Sequence, residues 1–134
     1  AEKYGLPEII REFIVTHHGT TATGYFLNTY LNAGGDPEDT ADFYYDGVKP
    51  TTREHVILMF CDAVEAASRS LKDYSPESIS ALVDRIVDGK IEENQLGDSE
   101  MSLKEMAVVK DAMKTYLQQM YHSRVAYPKR RKKA

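Results

Sequence analysis

Apolar residues recur three and four positions apart in several stretches of the chain, and this spacing predicts amphipathic α-helices. The first helix is predicted to begin near Pro7 and Glu8, because proline suits the first helical position and glutamate the first turn. Its apolar run continues to Ile14 and Val15. His17 and His18 should therefore lie at its C-terminal end.

A glycine and two threonines follow the histidines. Gly19 can end the first helix, and Thr20 or Thr21 can cap the second. The second helix has its apolar residues within 26–31 and is predicted to end at the two glycines 34–35.

Three further helices are predicted from caps and apolar stripes. Helix three begins with a capping box from Thr51 to Glu54, and helix four begins with Ser75 followed by a proline and closes at Gly89. The last helix begins with a capping box at Ser102 and ends near residues 127–128. The predicted core stripes of the third and last helices are Ile57, Phe60, Val64 and Leu71, and Met106, Val109, Met113, Tyr116, Leu117 and Met120.

The segment 42–51 is rich in aromatic and turn residues but has no sustained period. An ordered loop is the interpretation we favour over a strand, because no partner strand is visible elsewhere. The sequence thus predicts an all-α bundle of about four to six helices with one long structured loop.

Composition limits the possible functions. The 134 residues suffice for one domain, no apolar run is long enough to cross a membrane, and the single cysteine cannot form an internal disulfide. Residues 129–133 carry five of the 17 basic residues, so 12 basic residues face 21 acidic ones in the rest of the chain. We therefore expect a soluble domain without specific nucleic-acid binding, followed by a disordered basic tail at 129–134.

Candidate chemistry lies at the histidine pair and on one face of helix three. Two adjacent imidazoles can bind metal, although a solvated helix end is the alternative. Asp62, Glu65 and Arg69 are spaced three and four residues apart and share a face, which can be an ion-pair surface or the wall of a site.

The patterns at residues 13–21, 42–54 and 57–71 together resemble one family, the intracellular HD-type phosphohydrolase domain of seven-transmembrane receptors, which hydrolyses cyclic di-AMP. Shorter similarities occur at residues 90–91, 95–96 and 120–128. The resemblance thus covers residues 1–128 and implies an HD-domain helical fold, on the cytoplasmic side of the membrane in a longer parent protein.

The resemblance also implies a site. Such domains hold a pair of divalent metals, iron or manganese, through several histidines and aspartates; His17, His18 and Asp62 match three of these ligands. A metal-activated water would attack phosphorus. Further residues match substrate-binding positions more weakly, with capping, solvation or ion pairing as alternatives: Thr20, Thr21, Lys49, Arg53 and Arg69.

This chain has no His-Asp pair, and the remaining histidines, His55 and His122, lie in other contexts. We therefore expect the C-terminal part of an HD domain, in which the metal pair could be unoccupied and activity absent without the earlier ligands. The surfaces that the earlier helices would cover should be apolar, and either exposed or buried in a homodimer. The alternative function is a non-catalytic helical module that binds a nucleotide or a protein.

Overall fold

The structure is a computed structural model, and it describes residues 1–125. Five α-helices make up the fold, and no strand occurs in this part of the chain. Their bounds are α1 Glu8–Thr16, α2 Gly24–Asn32, α3 Arg53–Ser68, α4 Pro76–Glu92 and α5 Leu103–Val125. Short 3₁₀ turns occur at Glu2–Tyr4 and Ala41–Phe43. The predicted all-α architecture is confirmed; the basic tail lies outside the described residues.

The core is formed where α3, α4 and α5 pack together. Its buried members come in threes from these helices: Val56, Phe60 and Val64, then Ile79, Val83 and Val87, then Met113, Leu117 and Tyr121. Spacings of three and four residues place each set on one helical face. α1 contributes no apolar residue to this core; its one buried residue is Thr16.

Helix caps follow the predictions in two cases. Ser75 accepts a hydrogen bond from the Ser78 amide, and Ser102 accepts one from the Glu105 amide. The predicted Thr51 cap is wrong, because Thr52 accepts the His55 amide instead. Gly89 does not end α4: it has no positive φ, and the helix continues to Glu92.

The predicted threonine cap of α2 is also wrong. α2 begins at Gly24, and its N-cap residue is Thr23. Thr20 and Thr21 are instead used within the turn that follows α1. Ile57 and Tyr116, predicted to be core residues, are 39% and 67% exposed. The buried face of α3 therefore includes Val56 and Met59, which are fully buried, instead of Ile57.

A large apolar groove runs between α3 and α5. It has a volume of about 770 Å³, and its walls include Leu58 and Asp62 of α3 and Val108 of α5. Further exposed apolar side chains lie on α1, namely Ile9, Ile10, Ile14 and Val15. Within residues 1–125, none of the helices combines the length and the hydropathy that a membrane crossing needs.

Candidate metal centre

The two histidines lie where α1 ends and a tight turn begins. His17 still donates its amide to the Phe13 carbonyl, as in a helix. Gly19 then has a φ of +54°, a left-handed conformation that glycine adopts without steric cost. The Thr21 hydroxyl donates to the His18 carbonyl at 2.8 Å and closes the turn.

Gln95, in the segment after α4, holds this turn from one side. It is 2% exposed, and its side-chain oxygen accepts the Thr20 amide at 3.0 Å. Its NH₂ group donates to the Thr20 hydroxyl and to the Glu93 carbonyl, each at 3.0 Å. A Cβ on Gly19 would collide with the Gln95 side-chain oxygen, so any larger residue here would have to displace the Gln95 amide.

The loop predicted at 42–51 holds the turn from the other side. The Tyr45 amide donates to the Thr21 carbonyl, and the Val48 amide to the Val15 carbonyl, both at 2.9 Å. A Cβ on Gly47 would collide with the carbonyl oxygens of Val15 and Gly19. The turn is therefore held on one side by the side chain of Gln95 and on the other by backbone hydrogen bonds from the loop.

Asp62, in the middle of α3, meets the histidine turn. One possible ligand atom from each of His17, His18 and Asp62 lies within 4.8 Å of the other two, and all three residues are partly buried. The His18 Nδ1 atom is 3.5 Å from an Asp62 carboxylate oxygen. This is the one group of three or more candidate metal ligands found in the described part of the chain.

Hydrogen bonding determines the tautomer of His17. Its Nδ1 atom lies 2.8 Å from the Ile14 carbonyl and 3.1 Å from the Phe13 carbonyl. Carbonyl oxygens only accept hydrogen bonds, so Nδ1 carries the proton. In the neutral ring, Nε2 then has the lone pair that a metal ligand needs.

The surroundings of His18 favour its neutral form. Burial and the neighbouring His17 lower the pKa of His18, Asp62 opposes this, and Lys90 contributes further to the lowering. The Tyr45 ring stacks on the imidazole with centroids 4.3 Å apart and an interplanar angle of 13°. Neutral imidazole is the ligating form of histidine, so these contacts suit metal binding.

The donor set fits a divalent metal. Two imidazoles and one carboxylate match the ligand preferences of iron, manganese and zinc, and the three ligand atoms already lie close together. The His17 ring is oriented by its bond to a backbone carbonyl, an outer-shell contact typical of metal-binding histidines.

The other residues predicted to bind substrate have different surroundings. Thr20 and Thr21 stabilise the turn. Arg69 pairs with Glu65 through two bonds of 2.8 Å, and Arg53 pairs with Glu105 on α5. Arg53 precedes Asp62 by nine residues, which puts it on the opposite face of α3, about 13 Å away along the axis. Lys49 is half-buried in the loop.

Sequence reasoning assigned no role in the site to three residues near it: Gln95, Tyr45 and Lys90. The first lies in a polar connection without periodicity, so nothing in the pattern marked it as buried. Tyr45 lies in the aromatic loop predicted at 42–51, and in the structure its ring stacks on His18. Lys90 directly follows the predicted end of helix four, where lysine is common. Only the fold brings its charge near His18 and Asp62.

No family profile matches the sequence. The chain is 38% identical over 133 residues to an uncharacterised protein of Synechocystis and 33% identical over 132 residues to the cyclic-di-AMP phosphodiesterase PgpH of Bacillus subtilis. Crystal structures of the HD domain of Listeria monocytogenes PgpH, one of them in complex with cyclic-di-AMP, superpose with TM-scores of 0.81 and 0.82 at 30% and 28% identity.

These matches cover nearly all of this chain but only part of the other proteins. The alignments include 96% and 97% of this chain, yet 16% and 18% of the two curated relatives. The structural matches cover 90% of this chain and 56% of each PgpH HD-domain chain. The remaining 44% of that domain has no counterpart in the match.

Proposed function

We propose that the chain forms part of a metal-dependent phosphodiesterase that hydrolyses a cyclic dinucleotide, cyclic di-AMP in particular. Its homology to part of the HD domain of the cyclic-di-AMP phosphodiesterase PgpH supports this proposal. The observation that supports this proposal best is the convergence of His17, His18 and Asp62 to within 4.8 Å. One PgpH HD domain of the same fold has been crystallised with cyclic-di-AMP.

His17 through Nε2, His18 and Asp62 would hold a divalent cation. Bound divalent metals lower the pKa of water and neutralise phosphate charge, which is the chemistry that phosphodiester hydrolysis requires. The residues of this chain orient the ligands: Tyr45 stacks on one imidazole, and Gln95 fixes the turn that carries both.

This chain by itself is expected to be inactive. A pair of divalent ions needs more than three protein ligands, and the described residues supply one group of three. The additional ligands would come from a further part of the same HD domain, corresponding to the 44% of the L. monocytogenes chain outside the match. In the parent protein, the complete domain would face the cytoplasm beside a transmembrane region.

The apolar groove between α3 and α5 would receive that further part of the domain. Asp62 forms part of the groove wall, so a segment bound in the groove would lie beside the candidate metal centre. Leu58 and Ile57 on α3 are each 39% exposed, and Val108 on α5 is 63% exposed. Apolar surface of this extent in a single cavity is typical of interaction sites.

Manganese binding tests the proposed centre. Titration of the 134-residue chain with Mn²⁺, followed by electron paramagnetic resonance of the free ion, should show one site. Asp62→Ala should weaken binding by at least about tenfold, since losses of outer-shell contacts alone cost that much. Glu65→Gln is the matched control, because Glu65 lies one turn further along the same helix and pairs with Arg69. Equal binding by both variants would contradict the proposal.

An assay of cyclic di-AMP hydrolysis distinguishes the proposed phosphodiesterase from a non-catalytic module. A longer chain that includes the rest of the HD domain should cleave the dinucleotide, and the 134-residue chain should not. The limited donor set favours the second candidate, a non-catalytic module that binds a nucleotide or a protein, for the chain alone. Failure of the longer chain to bind metal or to cleave cyclic di-AMP would contradict the phosphodiesterase proposal and favour the non-catalytic module.

A further inference from the structure

His55 is a buried histidine outside the candidate metal centre. It lies in the first turn of α3, it is 5% exposed, and its amide donates to the capping hydroxyl of Thr52. Its Nδ1 atom is buried and forms no hydrogen bond with the residues that the structure describes. A buried polar atom without a partner costs free energy, so an apolar ring of similar size would be at least as stable here. Stability alone therefore does not explain a histidine at this position.

The His55 ring meets two consecutive residues of α1. Its Nε2 atom is 3.8 Å from a carboxylate oxygen of Glu12. The Phe13 ring approaches the imidazole edge to face, with centroids 5.0 Å apart and an interplanar angle of 85°. Because a carboxylate only accepts hydrogen bonds, the imidazole nitrogen that faces it carries a proton and is attracted to it.

His55 and Asp62 lie on one face of α3. Seven residues separate them, so they are about 20° apart around the helix axis and about 10 Å apart along it. The His18 Nδ1 atom is 3.5 Å from the Asp62 carboxylate, whereas Phe13, five residues earlier, contacts His55. α1 and the turn after it therefore meet this face of α3 at two points, which follow each other in the same chain direction in both segments.

The contact at His55 can set the position of α1 along α3. α1 contributes no residue to the apolar core, and its one buried residue is Thr16. Gln95 holds the histidine turn from the segment after α4, whereas the His55 contacts join α1 to the helix that carries Asp62. His17 directly follows α1, so a shift of α1 along α3 would move the histidine pair relative to Asp62.

We propose that His55 is a positioning residue of the metal centre, which acts through Glu12 and Phe13 to hold α1 on α3 with His17 and His18 facing Asp62. This inference rests on the proposed function, since it requires that these histidines and Asp62 bind a metal. Only molecules with α1 aligned present the three ligands together, so the apparent metal affinity depends on the fraction of aligned molecules.

The experiment measures Mn²⁺ affinity by electron paramagnetic resonance and stability by urea unfolding, both on the full 134-residue chain. His55→Phe keeps an aromatic ring beside Phe13 and removes the nitrogen that faces Glu12. Glu12→Gln removes the carboxylate charge and keeps the length of the side chain, and the double variant completes a cycle. Glu8→Gln is the matched control, because Glu8 is an exposed glutamate one turn earlier on α1.

We expect His55→Phe and Glu12→Gln each to weaken Mn²⁺ binding by about two- to fivefold, the range for loss of a partly exposed charge contact. The double variant should bind no more weakly than His55→Phe, because both changes remove the same contact. The urea midpoint of His55→Phe should be unchanged or higher, since the unpartnered Nδ1 atom is removed. Glu8→Gln should bind Mn²⁺ as tightly as the wild type.

Wild-type Mn²⁺ affinity in His55→Phe would overturn the inference. A lower urea midpoint together with weaker binding would show a structural role instead, and multiplied losses in the double variant would show two independent effects. If His55→Phe fails to fold, the comparison of Glu12→Gln with Glu8→Gln decides, because the Glu12 side chain is 53% exposed. A wild-type chain that binds no Mn²⁺ would contradict the proposed function as well, whereas failure of the inference alone leaves wild-type binding intact.

Discussion

The side-chain amide of Gln95 uses both its oxygen and its nitrogen on the turn that follows α1. It contacts Thr20, which is 75 positions earlier in the sequence, and it occupies the space beside Gly19. Because Gln95 is only 2% exposed, its burial would cost free energy if its polar atoms formed no hydrogen bonds. The conformation of the histidine pair therefore depends on a residue far from it in sequence.

Replacement of Gln95 by alanine should lower the free energy of unfolding by about 1–3 kcal/mol, because the partly buried Thr20 amide would lose its hydrogen-bond partner. Urea unfolding followed by circular dichroism measures this change. Gln118→Ala is the control, since Gln118 is a half-buried glutamine on α5 beside the exposed Lys72 and Tyr74. Equal, small changes in both variants would show that the Gln95 contacts contribute little.

The sequence predicted the candidate ligands better than their supports. The resemblance selected His17, His18 and Asp62, and the fold brings all three together, while their role in metal binding stays a prediction. Gln95 and Tyr45 contact the site through a non-local amide bond and a ring stack. Periodicity describes neighbours along a helix, so it cannot report contacts between a connection and a distant turn.

At the scale of elements, charged side chains join α4 to α5 beside the apolar core. The Asp84 carboxylate lies 2.9 Å from the Lys114 ammonium group and 3.6 Å from that of Lys110, which also bonds Asp88. The hydrogen bond from Lys114 is the largest cause that lowers the pKa of Asp84, and burial opposes it. This network should align the two helices near neutral pH.

The pH dependence of stability tests that network. Because the pKa of Asp84 is lower in the folded state, its stabilisation is present above the unfolded value of about 4 and is lost as pH falls through the folded value. Asp84→Asn should therefore cost about 0.2–1 kcal/mol at pH 7, a small value because the side chain is 44% exposed. The cost should shrink toward pH 2 in urea titrations.

Asp111→Asn, an exposed aspartate on α5, provides the control for Asp84→Asn. If the free energy of unfolding differed between wild type and Asp84→Asn by the same amount from pH 7 to pH 2, the proposed contribution of the Asp84 ion pairs would be contradicted.

The sequence predicted the helices more accurately than their ends. Ser75 and Ser102 were identified because a capping serine is recognised from neighbours within three residues. Thr51 and Thr52 are chemically equivalent caps, so the choice between them depends on how the preceding loop enters the helix. The sequence predicts a helix end at Gly89, but a helix packed on two others tolerates glycine and continues to Glu92.

At the scale of the whole molecule, apolar surface is unevenly distributed. α3, α4 and α5 enclose the core, whereas α1 has exposed Ile9, Ile10 and Ile14 and the α3–α5 groove remains open in this chain. This distribution agrees with the expectation that part of the surface is apolar and exposed. The sequence could not show which apolar residues would be left uncovered, because every stripe looks like a core stripe.

The attachment of α1 has a kinetic consequence. α1 contributes no side chain to the apolar core, and it contacts α3 through the Phe13 ring, whose centroid lies 5.0 Å from that of His55. We therefore expect α1 to open more readily than the helices that form the core. Hydrogen–deuterium exchange should be faster for its amides than for those of α4. Mn²⁺, by joining His17 and His18 to Asp62, should slow exchange in α1 and leave α4 unchanged.

Equal protection of α1 and α4 before metal is added would show that α1 shares the global unfolding of the core. With the expected result, the helix directly before His17 and His18 opens most readily, so a ligand bound by these histidines would reduce local unfolding of α1. Proteolysis in the α1–α2 region would then report site occupancy without any measurement of catalysis.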